Sequence, residues 1–225
     1  MSPSVDPPSE VGGRPAISRG FLVVALSVLT LVFLLALAVP AWLRARQVSS
    51  MSSGVSYLQT LVAAEEAWRV NAQGDGRTKT YWTADVYGLS QHVGPSGRPD
   101  ERISIRMART DRFPAKGPPY AAPPPPVPEP SYGCFFEALD RDEDGNPYAL
   151  DADGDGRAWE NASKFGFRAV PELYGTTGLT IFQVNETGVI FGRDLGYGAE
   201  LNPPRGSWEG GADPAKADPP WRRVQ

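Results

Sequence analysis

The chain has 225 residues, a formal net charge of −4 and a sequence pI near 5.1. This balance excludes a nucleic-acid binder that works through a basic face. The single cysteine excludes a disulfide framework and a cysteine-based zinc site, and the single histidine disfavours a Ser-His-Asp triad. With 24 glycines and 23 prolines, much of the chain is expected to be loop.

An uncharged apolar run from Phe21 to Val39 predicts a membrane-spanning helix. At about 1.5 Å per residue it extends roughly 28 Å, close to the thickness of the hydrocarbon core. The alternative is a secretory signal peptide cleaved after Ala36-Leu37-Ala38, although the run is longer than such peptides carry. We therefore expect a leader or cytoplasmic segment at 1–20 and a transmembrane helix at 21–43.

The helix is predicted to continue beyond the membrane as an amphipathic segment over 44–72. Between Gln47 and Ala72 there is no proline. The residues that recur there at helical spacing, the first four as one apolar stripe, are Val55, Leu58, Leu61, Val62, Glu65 and Trp68. Pro40 lies near the boundary, where a kink is expected.

The N-terminal region resembles type IV pilins and the pseudopilins of type II secretion systems. The resemblance rests on Arg19-Gly20-Phe21 directly before the apolar run, AVPAW at 38–42, YLQTLVAAEEAW at 57–68 and YWTADVYGL at 81–89. It implies that a prepilin peptidase cuts after Gly20 and that the new terminal Phe21 is methylated. It also implies an anchor in the inner (cytoplasmic) membrane, an extracytoplasmic C-terminal domain and assembly with other pilin-like subunits.

The remainder reads as short strands between turns, which predicts a sheet domain over 73–201. The expected strands are 102–108, 132–140, 164–171, 179–186 and 188–196, with a hairpin turn at Asn185–Gly188. Short connections favour antiparallel pairing. The predicted fold class is α+β: a long N-terminal helix packed on a small antiparallel sheet, rich in loops. The stretch 171–196 resembles a C-terminal sheet motif of pilin-like proteins and of an uncharacterised family of bacterial secreted proteins.

Predictions can also be made for the proline-rich segment, the C-terminal region, and the single histidine and cysteine. The proline-rich segment 114–130 is either a surface spacer or a ligand for an aromatic groove, and the spacer is favoured. The region 202–225 is predicted to be a flexible tail. We expect His92 on the surface and Cys134 buried as a small hydrophobe.

The acidic segment 137–160 holds nine acidic and two basic residues, and its aspartates are regularly spaced. Carboxylates at positions 1, 3, 5 and 12 with a glycine at 6 match a calcium-binding loop, which predicts a structural calcium ion. A second, weaker loop begins where the first one ends. The predicted ligands are Asp140, Asp142, Asp144, Asp151, Asp153 and Asp155. The alternative is a solvated acidic turn.

Two functions remain open, and neither is enzymatic, because the chain lacks the common nucleophile, phosphate-binding and metalloprotease motifs. The first is a pilin-like or pseudopilin-like subunit of a type IV pilus or type II secretion assembly. The second is a stand-alone, single-pass anchored extracytoplasmic domain that binds calcium or a partner and does not assemble. Ala25 favours the second, because pilins usually carry a glutamate at that position.

Overall fold

The computed structural model describes residues 19–72, 79–94, 96–150, 159–194, 196, 206–209 and 220–224. The chain divides into two compact units, Met1–Trp42 and Leu43–Gln225. Helix α1 is continuous from Arg19 to Ala72, and it remains helical through Pro40. It begins in the first unit and ends in the second.

In the first unit, the apolar side chains from Leu22 to Val39 are exposed on every face of α1. The hydroxyls of Ser27 and Thr30 donate to the carbonyls four residues earlier, both at 2.9 Å, so they add little polarity to the surface. Among the described residues, α1 is the one helix long and apolar enough to cross a membrane. This fits a single-pass membrane protein.

The second unit is built on a five-stranded antiparallel sheet with the strand order β2-β4-β5-β6-β7. These strands are Cys134–Ala138 (β2), Gly166–Pro171 (β4), Thr180–Asn185 (β5), Phe191–Asp194 (β6) and Arg222–Arg223 (β7). A separate pair joins β1, Tyr81–Trp82, to β3, Glu160–Asn161. Two short helices, α2 (Gly88–Gln91) and α3 (Ile105–Ala108), lie between β1 and β2.

The second half of α1 packs on this sheet, as the apolar pattern predicts. Leu58 and Leu61 are fully buried in one core with Phe136, Phe167 and Val184. Burying side chains of this size contributes about 1.5–3 kcal/mol each. The mixed α+β class, with a long helix on antiparallel strands, is therefore confirmed.

Four of the five predicted strands are present, and the hairpin turn is confirmed by a hydrogen bond of 2.9 Å from Gly188 N to the Asn185 carbonyl. The strand predicted at 102–108 is wrong. Its serine at 104 caps α3 instead, with Oγ accepting from Met107 N at 3.3 Å. Ile103 and Met107 are buried while Ile105 is exposed, so helical spacing, not alternation, decides which side chains enter the core.

Two further predictions are corrected. His92 is buried, because its ring packs against Trp68 and Trp82 at centroid distances of 5.1 and 4.9 Å, and the two indoles also contact each other. The predicted flexible tail contains two stretches that belong to the domain: Trp208 is buried, and Trp221 is buried beside β7 at the edge of the sheet. The expectation that Cys134 is buried is confirmed.

Candidate functional site

The predicted processing site lies in the first turn of α1. Helix α1 begins at Arg19, so Gly20 and Phe21 are both helical. Gly20 is exposed, and a Cβ added to it would meet no atom within 4 Å. Steric crowding within the fold therefore gives no reason for a glycine at this position.

The first acidic loop folds around the side chain of Asp142, which is buried. Its Oδ1 accepts from the backbone N–H groups of Asp144 at 3.0 Å and Asn146 at 2.8 Å. Gly145 has a φ of +81°, in the left-handed region that glycine adopts readily, and this allows the sharp turn. The loop is thus held by one carboxylate that bonds its own backbone.

A lysine supplies the positive charge inside this loop. Lys164 Nζ lies 2.8 Å from Asp142 Oδ2, 2.8 Å from Glu143 Oε1 and 3.5 Å from Asp144 Oδ2. Burial raises the pKa of Asp142, but the hydrogen bonds from Lys164 and from the backbone outweigh it, so the pKa is lowered overall. The hydrogen bond to Asp142, followed in size by the one to Glu143, raises the pKa of Lys164.

The structure brings together two of the six predicted calcium ligands. Asp142 and Asp144 share Lys164, whereas the side chain of Asp140 is exposed and its backbone N–H donates to the Gly206 carbonyl at 2.8 Å. The other three, Asp151, Asp153 and Asp155, lie outside the described residues. Within the part of the chain that is described, no three His, Cys, Asp or Glu side chains form a group that could hold a metal ion. The calcium site stays a prediction.

Sequence reasoning missed the residues that surround this loop in space. Lys164 lies 22 residues after Asp142 in the sequence, and β3 comes between them. Burial, followed by the nearby charges of Glu186 and Glu143, raises the pKa of Tyr148. The Tyr148 hydroxyl and Glu143 Oε2 are buried with no hydrogen-bond partner among the described residues. The loop spacing gives no signal for such contacts.

A second group of acids lies where α1 meets β1 and β3. Glu65 is fully buried, and its Oε2 accepts from Trp82 N at 2.9 Å while Oε1 has no partner among the described residues. Burial raises the pKa of Glu65; the Trp82 hydrogen bond opposes this, and the charges of Glu160 and Glu66 add to it. The helical spacing placed this position on the packing face, but nothing in the sequence distinguishes a buried glutamate from an exposed one.

The proline-rich segment is tied to the domain by buried Asp85. The carboxylate of Asp85 accepts from Gly88 N and Ala115 N, both at 2.7 Å, and from the Tyr120 hydroxyl. Burial and then the charge of Asp85 raise the pKa of Tyr120. At the far end of the segment, Glu129 N donates to the Arg109 carbonyl at 2.8 Å. These bonds hold 114–130 against the domain near both ends, and the choice of spacer over groove ligand stays a prediction.

Comparison with known proteins adds no relative: no family model, no curated protein and no solved structure matches this chain.

Proposed function

We propose that this chain is a non-enzymatic, pilin-like or pseudopilin-like subunit, anchored in the cytoplasmic membrane and part of a type IV pilus or type II secretion assembly. The observation that carries the proposal is helix α1 itself. One unbroken helix of 54 residues is apolar and exposed over its first half and packs on an antiparallel sheet over its second half. A membrane anchor fused in this way to a sheet domain is the architecture that the N-terminal resemblance implies.

Two buried carboxylates of the domain have structural partners, which agrees with the proposal of a non-enzymatic subunit. The buried acids Asp85 and Glu137 are occupied by the fold's own groups: Asp85 by backbone N–H groups, and Glu137 by Arg168 through its Nε at 2.6 Å. Carboxylates that bind neighbouring groups in this way stabilise a fold.

The test is the intact mass and N-terminal sequence of the protein recovered from its native membrane fraction. Processing predicts a chain that begins at Phe21 with a methylated amine. Gly20→Ala is expected to abolish processing and leave the uncut chain in the membrane. Because an added Cβ at Gly20 meets nothing, the loss would report recognition by the peptidase and not a folding defect.

The matched control is Gly13→Ala, which makes the same change seven residues upstream, outside the predicted recognition site. It is expected to be processed like the unaltered chain. A mature protein that begins at Met1 would refute processing. A start near Ala41 would identify a signal peptide and remove the anchor.

A second candidate is a stand-alone anchored domain that does not assemble, and Ala25 is the observation that favours it. In the family that this N-terminus resembles, a glutamate at this position is thought to pair with the terminal amine of a neighbouring subunit, and alanine cannot do so. Cross-linking in intact membranes separates the two candidates. Ladders of cross-linked subunits support assembly, and a single uncross-linked species supports the stand-alone domain.

We further propose that calcium, if bound by the acidic segment, has a structural role. Between Glu137 and Glu160 the sequence carries a net charge of −7, and Lys164 brings one compensating charge to Asp142 and Glu143. A divalent ion bound to the remaining carboxylates would reduce their mutual repulsion. Oxygen ligands of this kind suit calcium better than a transition metal.

A further inference from the structure

An open apolar groove lies in the second unit, between α1 and the β5–β7 side of the sheet. Its volume is about 670 Å³, within the range of small-molecule sites. The helix contributes Val48, Met51 and Val55, and the sheet side contributes Phe182 and Val224. We call this feature the helix–edge groove.

The groove leaves apolar surface in contact with solvent. Val48 is 67% exposed and Val224 is 49% exposed, although both line it. Gly192 forms part of the wall, and a Cβ there would come within 3.0 Å of both Phe182 and Val224. Since exposed apolar area is costly in water, the groove suits an apolar occupant.

One exposed arginine lines the groove, and a second lies one helical turn before a lining residue. Arg222 lines it, and Arg44 precedes Val48 by one helical turn, so the two helix residues share a face. Both arginines are exposed, and within the described residues neither takes part in an ion pair. The other charged lining residues are already engaged: Arg193 pairs with Glu209, and Asp194 accepts from the Tyr174 hydroxyl.

We propose that the helix–edge groove binds an anionic phospholipid, with an acyl chain along Val48 and Val224 and the phosphate at Arg44 and Arg222. The charge pattern favours this occupant, because an apolar floor beside Arg222, which forms no ion pair within the described residues, complements an amphipathic anion. The proposal rests on the membrane anchoring in the proposed function, but not on processing at Gly20 or on assembly. Failure of processing would leave it standing.

The experiment uses the full chain in nanodiscs of phosphatidylcholine with a minor share of phosphatidylglycerol. Val48 is replaced by the photoreactive residue benzoylphenylalanine, and irradiated protein is analysed by mass spectrometry. Phosphatidylglycerol adducts are expected above that lipid's bulk share, by about fivefold for each arginine that contacts the headgroup. Gln59, which is exposed on α1 and does not line the groove, is the control position and is expected to give no enrichment.

Neighbouring residues of β7 provide matched charge variants. Arg222→Gln removes the arginine that lines the groove and is expected to lower the enrichment about fivefold. Arg223→Gln makes the same change on the opposite face of the strand and is expected to leave the enrichment intact. Both side chains are exposed, so neither substitution should disturb the core. A decrease in enrichment caused by general unfolding would therefore be expected in both variants.

Two results would overturn the proposal. Adducts at Val48 in proportion to the bulk lipid composition would remove the specific site. Cross-links from Val48 to a second copy of the chain would identify a protein, not a lipid, as the occupant. Enrichment at Val48 that falls in Arg222→Gln but not in Arg223→Gln would support it, whether or not the chain is cut at Gly20.

Discussion

The acidic loop at Asp142 and the interface at Glu65 both bury a carboxylate, yet they treat its charge in opposite ways. Asp142 is given a cation and backbone donors, which lower its pKa. Glu65 is given one backbone donor and two acidic neighbours, and its pKa is raised. Burial alone therefore does not determine the charge state of a carboxyl group. The donors and charges packed around it do.

The largest effect is expected from removing the partnered carboxylate. Asp142→Ala deletes the acceptor for two backbone N–H groups and for Lys164, which we expect to cost about 3 kcal/mol. For a domain of this size, the midpoint of thermal unfolding should fall by about 6–12 °C. Tryptophan fluorescence of the full chain in detergent measures it. Asp144→Ala, at an exposed partner of the same lysine, is the control and should shift the midpoint by less than about 2 °C; equal shifts would contradict the prediction.

At Glu65, removing the ionisable group is expected to raise the stability of the protein, not to lower it. Because its pKa is raised on folding, the folded chain loses stability as the pH rises above 4.5, the usual pKa of a glutamate side chain, by up to about 1.4 kcal/mol per pH unit. Glu65→Gln keeps an oxygen for Trp82 N and removes the ionisable group. We expect it to stabilise the protein by about 1 kcal/mol at pH 6 and to have little effect at pH 4.

Unfolding midpoints of Glu65→Gln and the unaltered chain at pH 4, 5 and 6 test this difference. Glu129→Gln serves as the control, since Glu129 is exposed and is not among the charges that act on Glu65. The acidic loop moves the other way: Asp142 contributes stability above pH 3.8, and that contribution is lost as the pH falls through its lowered pKa. If Glu65→Gln raised the unfolding midpoint by the same amount at every pH, the stabilisation would come from side-chain packing and not from removal of the ionisable group.

The smallest effect concerns calcium. Lys164→Gln removes the ammonium from Asp142, Glu143 and Asp144 and leaves their charges uncompensated. Calcium should then stabilise this variant more than the unaltered chain, by about 1 kcal/mol at a concentration a few times the dissociation constant. Unfolding midpoints with calcium and with a chelator measure the difference. Lys116→Gln, at an exposed lysine, is the control. Identical calcium responses in all three proteins would contradict the role of Lys164, and the absence of a response in all three would contradict calcium binding.

Periodicity predicted the parts of the fold that depend on local pattern. The apolar run predicted the first half of α1, and the stripe at Leu58 and Leu61 predicted its packing face. The segment 102–108 failed because alternating apolar residues also fit one helical turn, and the cap at Ser104 decides between the two. A short stretch of sequence cannot decide between the two, because the outcome depends on which side chains are buried when the domain packs.

The acidic site was predicted only as far as chain-local spacing reaches. Asp142 and Asp144 do converge, but on a lysine from beyond β3 and not on ligands from their own loop. The segment around Trp221 was assigned to a flexible tail because of its proline and glycine content. The buried indole of Trp221 and the two-residue strand β7 instead anchor this segment to the sheet. Long-range contacts of this kind leave no periodic trace in the sequence.

The burial of His92 has a practical consequence. The chain has one histidine, so its imidazole protons give the only histidine signals in a proton NMR spectrum. Because the imidazole packs against both Trp68 of α1 and Trp82 of β1, those protons lie in the ring currents of two indoles. Their displaced resonances form an unlabelled reporter of whether helix and strand are in contact, at any temperature or in any detergent in which the protein is studied.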